Sequence, residues 1–140
     1  MGLEIRFDGA CEPVNPGGIA TYGYVIRKDG NIIASGRGEA IRGKQATNNY
    51  AEYYAALVAL LTAYTKFPEC TVVIAGDSQL VINQMAGKWR IKAQNLKPLY
   101  DSLKRIEGFF PAVSWKWVCR EANQEADTLS KLAYTEASKA

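Results

Sequence analysis

Residues 71–77 read TVVIAGD. From Thr71 to Gly76 the run is dominated by apolar and β-branched residues and lacks polar–apolar alternation, so it reads as a strand covered on both faces. Strands of that kind pair in parallel, and a parallel pairing needs a crossover segment. The chain just upstream supplies one. ATNNYAEYYAALVALLTAY, residues 46–64, is rich in alanine and leucine and long enough for about four helical turns.

At the other end of that helix the pattern is different. Leu3, Ile5 and Phe7 alternate with Glu4 and Arg6, the period-two signature of a strand, which is expected to end at Asp8-Gly9. A loop holding Pro13, Asn15, Pro16, Gly17 and Gly18 follows. Residues 20–28 and 31–40 then read as two strands, and the Asp29-Gly30 pair between them predicts a hairpin. Downstream of TVVIAGD, helical stretches near 78–86 and 95–107 flank GKWRIKAQ; residues 112–119 predict another strand, and 122–136 a final helix. Three strands, a helix, a strand, one or two helices, a strand and a helix make an α/β fold. Its sheet is expected to be mixed and five-stranded, with an antiparallel meander on one side and crossover-connected parallel strands on the other. Residues 1–140 read as one domain without internal repeats.

With 48% hydrophobic and 22% charged residues, the chain has the composition of a domain that buries its own core. A net charge of +3 permits a polyanionic partner without demanding one. Cys11, Cys70 and Cys119 are widely spaced and odd in number, which argues against a disulfide framework or a zinc site and favours a reducing compartment. No stretch approaches the roughly 18 apolar residues of a membrane span, and no signal-like run opens the chain, so a cytoplasmic location is expected.

Four acids carry the chemistry, each with a plainer alternative. Asp8 and Asp77 close the first and fourth strands, where open sheets bind ligands, yet turn chemistry at Asp8-Gly9 and a helix start at Asp77-Ser78 would also place them there. Glu52 shares a helix face with Ala55, Ala56 and Ala59, a face small enough to press on a sheet; its alternative is a capping box begun at Asn49. Asp127 lies beside the stripe Ala122, Ala126, Leu129 and Ala133, and its plainer role is an ion pair with Lys131 one turn on. Brought together, four carboxylates would repel unless cations were bound. Oxygen ligands without histidine or cysteine favour Mg²⁺ or Mn²⁺, and two such ions about 4 Å apart suit phosphodiester hydrolysis.

FDGACEPVNPGG (7–18), TNNYAEYYAAL (47–57), AGDSQLVINQM (75–85) and REANQEADTLS (120–130) resemble, in order and spacing, the motifs of type 1 ribonuclease H, in its compact archaeal or bacterial form without the basic protrusion. The resemblance implies the ribonuclease H-like fold. It also implies endonucleolytic cleavage of the RNA strand of RNA/DNA hybrids by two metal ions, leaving 5′-phosphate and 3′-hydroxyl ends. The metal ligands and catalytic acids would be Asp8, Glu52, Asp77 and Asp127. Asn15, Asn48, Asn49 and Gln79 would touch the hybrid's minor groove, where amide side chains suit 2′-hydroxyl recognition, and Thr47 would hold a DNA phosphate. Asn48 and Asn49 as helix caps, Asn15 as a turn former and Thr47 as a cap are the plainer alternatives. The expected partner is an RNA/DNA hybrid, with double-stranded RNA a second candidate, bound by a monomer without membrane contact. A non-catalytic hybrid-binding or double-stranded RNA-binding module of the same fold is the rival, although it would not require all four acids.

Two departures from the family accompany the likeness. The stretch GKWRIKAQNLKP is short, with Lys88, Arg90, Lys92 and Lys97 as its cations and Trp89 as either a deoxyribose-stacking residue or part of the core. The chain also contains no histidine. Where many relatives place one, the loop here offers Arg120, which cannot act as a base near neutral pH but can hold a phosphate. Its plainer role is a surface charge paired with Glu121 or Glu125.

Overall fold

A computed structural model describes residues 2–139 as a five-stranded mixed sheet flanked by helices. The elements are β1 (Gly2–Glu12), β2 (Ile19–Lys28), β3 (Asn31–Arg42), α1 (Asn48–Lys66), β4 (Thr71–Gly76), α2 (Gln79–Met85), α3 (Lys97–Glu107), β5 (Val113–Trp117) and α4 (Gln124–Ser138), with a 3₁₀ turn at Arg120–Asn123 leading into α4. The strand order is β3-β2-β1-β4-β5. Antiparallel pairing joins β1 to β2 and β2 to β3, and parallel pairing joins β1 to β4 and β4 to β5.

The β2–β3 hairpin turns at Asp29 and Gly30, both at positive φ (53° and 80°). That conformation suits the two-residue turns whose twist matches the flanking strands. β1 runs past the expected stop at Asp8-Gly9 as far as Glu12, because β2 continues to pair with it down to Glu12 opposite Ile19. Helix α1 is longer than four turns, with 19 residues, and Thr47 caps it by accepting a hydrogen bond from the Tyr50 N–H at 3.0 Å.

The core lies between the sheet and the α1–α3 face, where Phe7, Ile5, Ile74, Tyr53, Leu60 and Leu103 are buried. Two glycines let helices reach the sheet closely. A β-carbon at Gly9 would collide with the Ala51 and Glu52 backbone of α1, and one at Gly23 would lie 2.6 Å from the Ala126 carbonyl oxygen of α4. Because Asp8 faces Gly23 across the β1–β2 ladder, the two contacts bring α1 and α4 to the same stretch of β1, around Asp8 and Gly9. Three bidentate or near-bidentate arginine pairs lie on the α4 side, two of them binding α4 to the meander: Arg27 with Glu125 at 2.7 Å and Arg37 with Glu136 at 2.9 Å. The third, Arg42 with Glu39, lies within β3 at 2.5 Å. Among the described residues, no helix is long and apolar enough to cross a membrane.

Candidate active site

β1 and β4 pair in parallel only as far as Arg6 opposite Ala75, and Asp8, inside the lengthened β1 rather than closing it, and Asp77, just past the end of β4, emerge beyond that pairing. Ser78, rather than Asp77, caps α2 by accepting from the Val81 N–H at 3.2 Å, so the Asp77 carboxylate is released from capping. The end of β5 braces it: the Val118 N–H donates to the Gly76 carbonyl at 2.9 Å, and Trp117 Nε1 donates to the Asp77 carbonyl at 3.2 Å. Glu52 is equally free of the capping box, since Thr47 performs the cap.

One carboxylate oxygen from each of Asp8, Glu52 and Asp77 lies within 4.8 Å of the others. Asp8 is 5% exposed, and Glu52 Oε1 is buried with no hydrogen-bond partner. Burial, followed by the charge of Asp77 and contact with Asp127, pushes the Asp8 carboxyl up to about 8. Burial and then the charges of Asp8 and Asp77 push Glu52 well above its ordinary value, against smaller opposing effects from the Gly9 N–H and Arg120. Asp127 stands beside Asp8 at the edge of this trio. Burial pushes Asp127 up, but hydrogen bonds to Asp8 and Lys131 and the charges of Lys131 and Arg120 outweigh it and hold this carboxyl low. Its ion pair with Lys131, 3.0 Å long, is therefore real and coexists with the contact to Asp8.

This donor set fits a divalent cation. The ligands are all oxygen, an unpartnered buried acceptor points into the cluster, and the cost of keeping Asp8 and Glu52 ionised falls when positive charge is supplied.

The cleft above the acids, about 410 Å³, is lined by Asn48, Asn49, Gln79, Arg120 and Lys131 along with Asp8, Glu52 and Asp127. Asn48 Oδ1 accepts from the Cys11 N–H at 2.8 Å, and Asn15 Oδ1 accepts from the Asn48 N–H at 3.1 Å. The oxygens of Asn15 and Asn48 are thus spent on backbone N–H groups 33 and 37 residues away in the chain, which leaves the amide NH₂ groups as their donors. Arg120 is 82% exposed, and its Nε lies 3.6 Å from Asp77 Oδ2. Glu125, its suggested partner, is taken by Arg27. Trp89 is 48% exposed, so it is not a core residue. It lines a second groove of about 560 Å³ with Lys88, Arg90 and Lys92, and Asn49 and Leu80 border both grooves.

Asn123 is a site residue that the sequence did not single out. Buried at the end of the 3₁₀ turn, it donates from Nδ2 to the Phe7 carbonyl at 2.8 Å and to Asp77 Oδ1 at 3.2 Å. Ser130, also unforeseen, sits 3.5 Å from Asp8 Oδ2. An asparagine inside REANQEAD carries no periodic signal, and only the packing of the turn on β1 reveals its role.

A mixed sheet in this strand order with acids just beyond the β1–β4 pairing defines the ribonuclease H class of α/β nuclease folds, and residues 6–133 match a family model described as reverse transcriptase-like. Among solved structures, the chain superimposes on the N-terminal RNase H domain of Rv2228c from Mycobacterium tuberculosis, held as a fusion with maltose-binding protein. The TM-score is 0.89 and the identity 31%, covering 99% of this chain and 96% of that one. LC11-RNase H1 in complex with an RNA/DNA hybrid gives a TM-score of 0.87 at 29% identity over 96% of this chain and 98% of that one. Ribonuclease HI of Halobacterium salinarum is 37% identical over 135 residues, 96% of this chain. The chain therefore belongs to the type 1 ribonuclease H family. It spans 35% of the length of full Rv2228c and 65% of the halobacterial protein.

Proposed function

We propose that this protein is a metal-dependent endoribonuclease that hydrolyses the RNA strand of RNA/DNA hybrids, leaving 5′-phosphate and 3′-hydroxyl ends. The observation that carries it is the trio Asp8, Glu52 and Asp77 with its unpartnered Glu52 oxygen, set at the foot of a cleft lined by asparagine and glutamine. Asp8, Glu52, Asp77 and Asp127 would hold Mg²⁺ or Mn²⁺, two ions with hybrid bound. Such ions supply charge stabilisation at the phosphate and lower the pKa of water.

The chain's own groups do the rest. Asn15 and Asn48 offer amide donors whose direction is set by the backbone bonds to their oxygens, a geometry suited to 2′-hydroxyl oxygens. Asn49 and Gln79 extend this row along the cleft. Arg120, on the rim, holds the scissile or departing phosphate and moves no proton, because arginine stays charged. Trp89 and the cations beside it would stack on and neutralise the DNA strand in the second groove. Thr47, engaged as the α1 cap, has a hydroxyl proton left to give a phosphate oxygen.

Matched end-labelled RNA/DNA, RNA/RNA and DNA/DNA duplexes, each incubated with Mg²⁺, Mn²⁺ or EDTA, test the proposal. Cleavage of the hybrid's RNA strand in metal and none in EDTA is the expected result. Asp77→Asn should abolish cleavage while hybrid binding persists. A hybrid left intact under every metal condition, while still bound, would make the protein a binding module instead.

A further inference from the structure

Beneath the second groove lies a polar relay that the cleft chemistry does not use. Gln84, near the end of α2, is 4% exposed. Tyr53 Oη donates to Gln84 Oε1 at 2.5 Å, and Gln84 Nε2 donates to the Arg90 carbonyl at 3.1 Å. A buried glutamine costs free energy unless both ends of its amide are satisfied, and here both are. The Arg90 carbonyl it holds belongs to residues 86–96, which form neither helix nor strand. On its α2 side that segment is also held by the Asn83 carbonyl, which accepts from the Lys88 and Trp89 N–H groups at 2.8 and 3.1 Å, and beyond Arg90 by Ile91 and Leu96 packed on the core. Tyr53, at the other end of the relay, follows Glu52 directly on α1.

Building on the ribonuclease reading above, we propose that Gln84 is a positioning residue that sets the register between the acid cluster and the Trp89 groove through the hydrogen-bonded chain Tyr53–Gln84–Arg90. Trp89, Lys88 and Arg90 are aimed by a backbone whose exit from α2 is held by the carbonyls of Ile82, Asn83 and Gln84 and whose next hydrogen-bonded point is the Arg90 carbonyl. A hybrid spanning both grooves across their shared border at Asn49 and Leu80 is then presented to Asp8, Glu52 and Asp77 at one phosphate.

The experiment compares wild type with Gln84→Met, which keeps the volume and loses both bonds, and Tyr53→Phe, which loses only the hydroxyl. Trp89→Ala serves alone and combined with Gln84→Met. Steady-state cleavage of a short hybrid in Mg²⁺ gives KM and kcat, sequencing gels give the cut positions, and thermal melts report folding. Both single variants should raise KM by about tenfold, hold kcat within about twofold and spread the cut sites over neighbouring phosphates. In the Trp89→Ala background, Gln84→Met should add nothing further to KM. Unchanged KM and cut positions in Tyr53→Phe, or additive effects with Trp89→Ala, would overturn the proposal and leave Gln84 a core residue. Should Gln84→Met fail to fold, Tyr53→Phe decides alone. A wild-type protein that leaves hybrids intact would instead refute the ribonuclease reading itself.

Discussion

Asp8 of β1 faces Gly23 of β2, and the space that a Gly23 side chain would fill is occupied by the α4 backbone and Leu129 Cβ. The glycine is what allows Asp127 to stand beside Asp8. Gly23→Ala should force α4 outward and cost about 1–3 kcal/mol in urea unfolding, the usual range for overpacking. Cleavage should fall further than the loss of folded protein explains, because Asp127 moves with the helix. Stability and cleavage both at wild-type levels would show that α4 can shift without consequence.

Stability should respond to pH with an unusual sign. Asp8 is pushed up to about 8 by burial and Asp77, from an ordinary value of 3.8, and Glu52 shifts the same way. Each binds its proton more tightly in the folded chain, so the stabilisation is complete below the unfolded pKa and is lost as pH rises through the folded one. In EDTA the thermal midpoint should therefore decline from about pH 5 to about pH 8, and Mg²⁺ should restore it. Asp8→Asn should flatten the decline. Glu39, Glu125 and Glu136, held low by their arginine partners, have the opposite sign, and their small surface contribution disappears only in acid. A midpoint that rises from pH 5 to 8 in EDTA would contradict the uncompensated burial of Asp8.

Arg120 offers a charge without a proton. Arg120→Ala should lower turnover about tenfold, the scale of one charge-assisted hydrogen bond to phosphate, with the shape of the pH–rate profile retained. Arg120→Lys should recover part of the loss. Full turnover in the alanine variant would return Arg120 to the solvent as a rim charge.

The cations of GKWRIKAQNLKP are not equivalent. Lys97 is paired with Asp101 at 2.9 Å and lies over the Tyr100 ring, whereas Lys88, Arg90 and Lys92 line the Trp89 groove. Removing Lys88 should reduce the slope of log affinity against log salt by about 0.7–0.9. Lys97→Ala should leave it unaltered. Fluorescence titrations of a labelled hybrid across a salt series would separate the two, and equal slopes for both variants would dissolve the distinction.

Much of this molecule could be read from its residues. The apolar run Val72–Ala75 is a parallel strand between β1 and β5, although the expected cover on both faces fails at Val73, which is 41% exposed; Asp29-Gly30 turns the hairpin, and the alanine face of α1 does press on β1. The full length of β1 could not, because strand continuation past Gly9 depends on pairing with Ile19–Tyr22 rather than on local pattern. The 3₁₀ turn before α4 escaped notice for a similar reason: Arg6 holds its Ala122 carbonyl at 2.5 Å and Asn123 reaches the Phe7 carbonyl, contacts 116 residues apart in the chain. At the site, Asp77 declared itself by its position just past β4, whereas Asp8, expected to close β1, lies inside the strand, and Glu52 was marked by the alanine face of α1. Asn123, Gln84 and Tyr53 gave no such sign, since a buried polar side chain looks like any other until its partners are known.

The placement of β1 at the junction of the two halves of the sheet has a kinetic side. Its antiparallel neighbour β2 begins seven residues after β1 ends, but its parallel neighbour β4 begins at Thr71 and its cover, α4, at Gln124. Local hairpin contacts form early, and pairings of long sequence separation form late. The acid cluster draws on all of the late ones. During refolding, the meander and α1 should give their circular-dichroism signal before any nuclease activity returns, so catalysis would appear only once the chain has closed on itself.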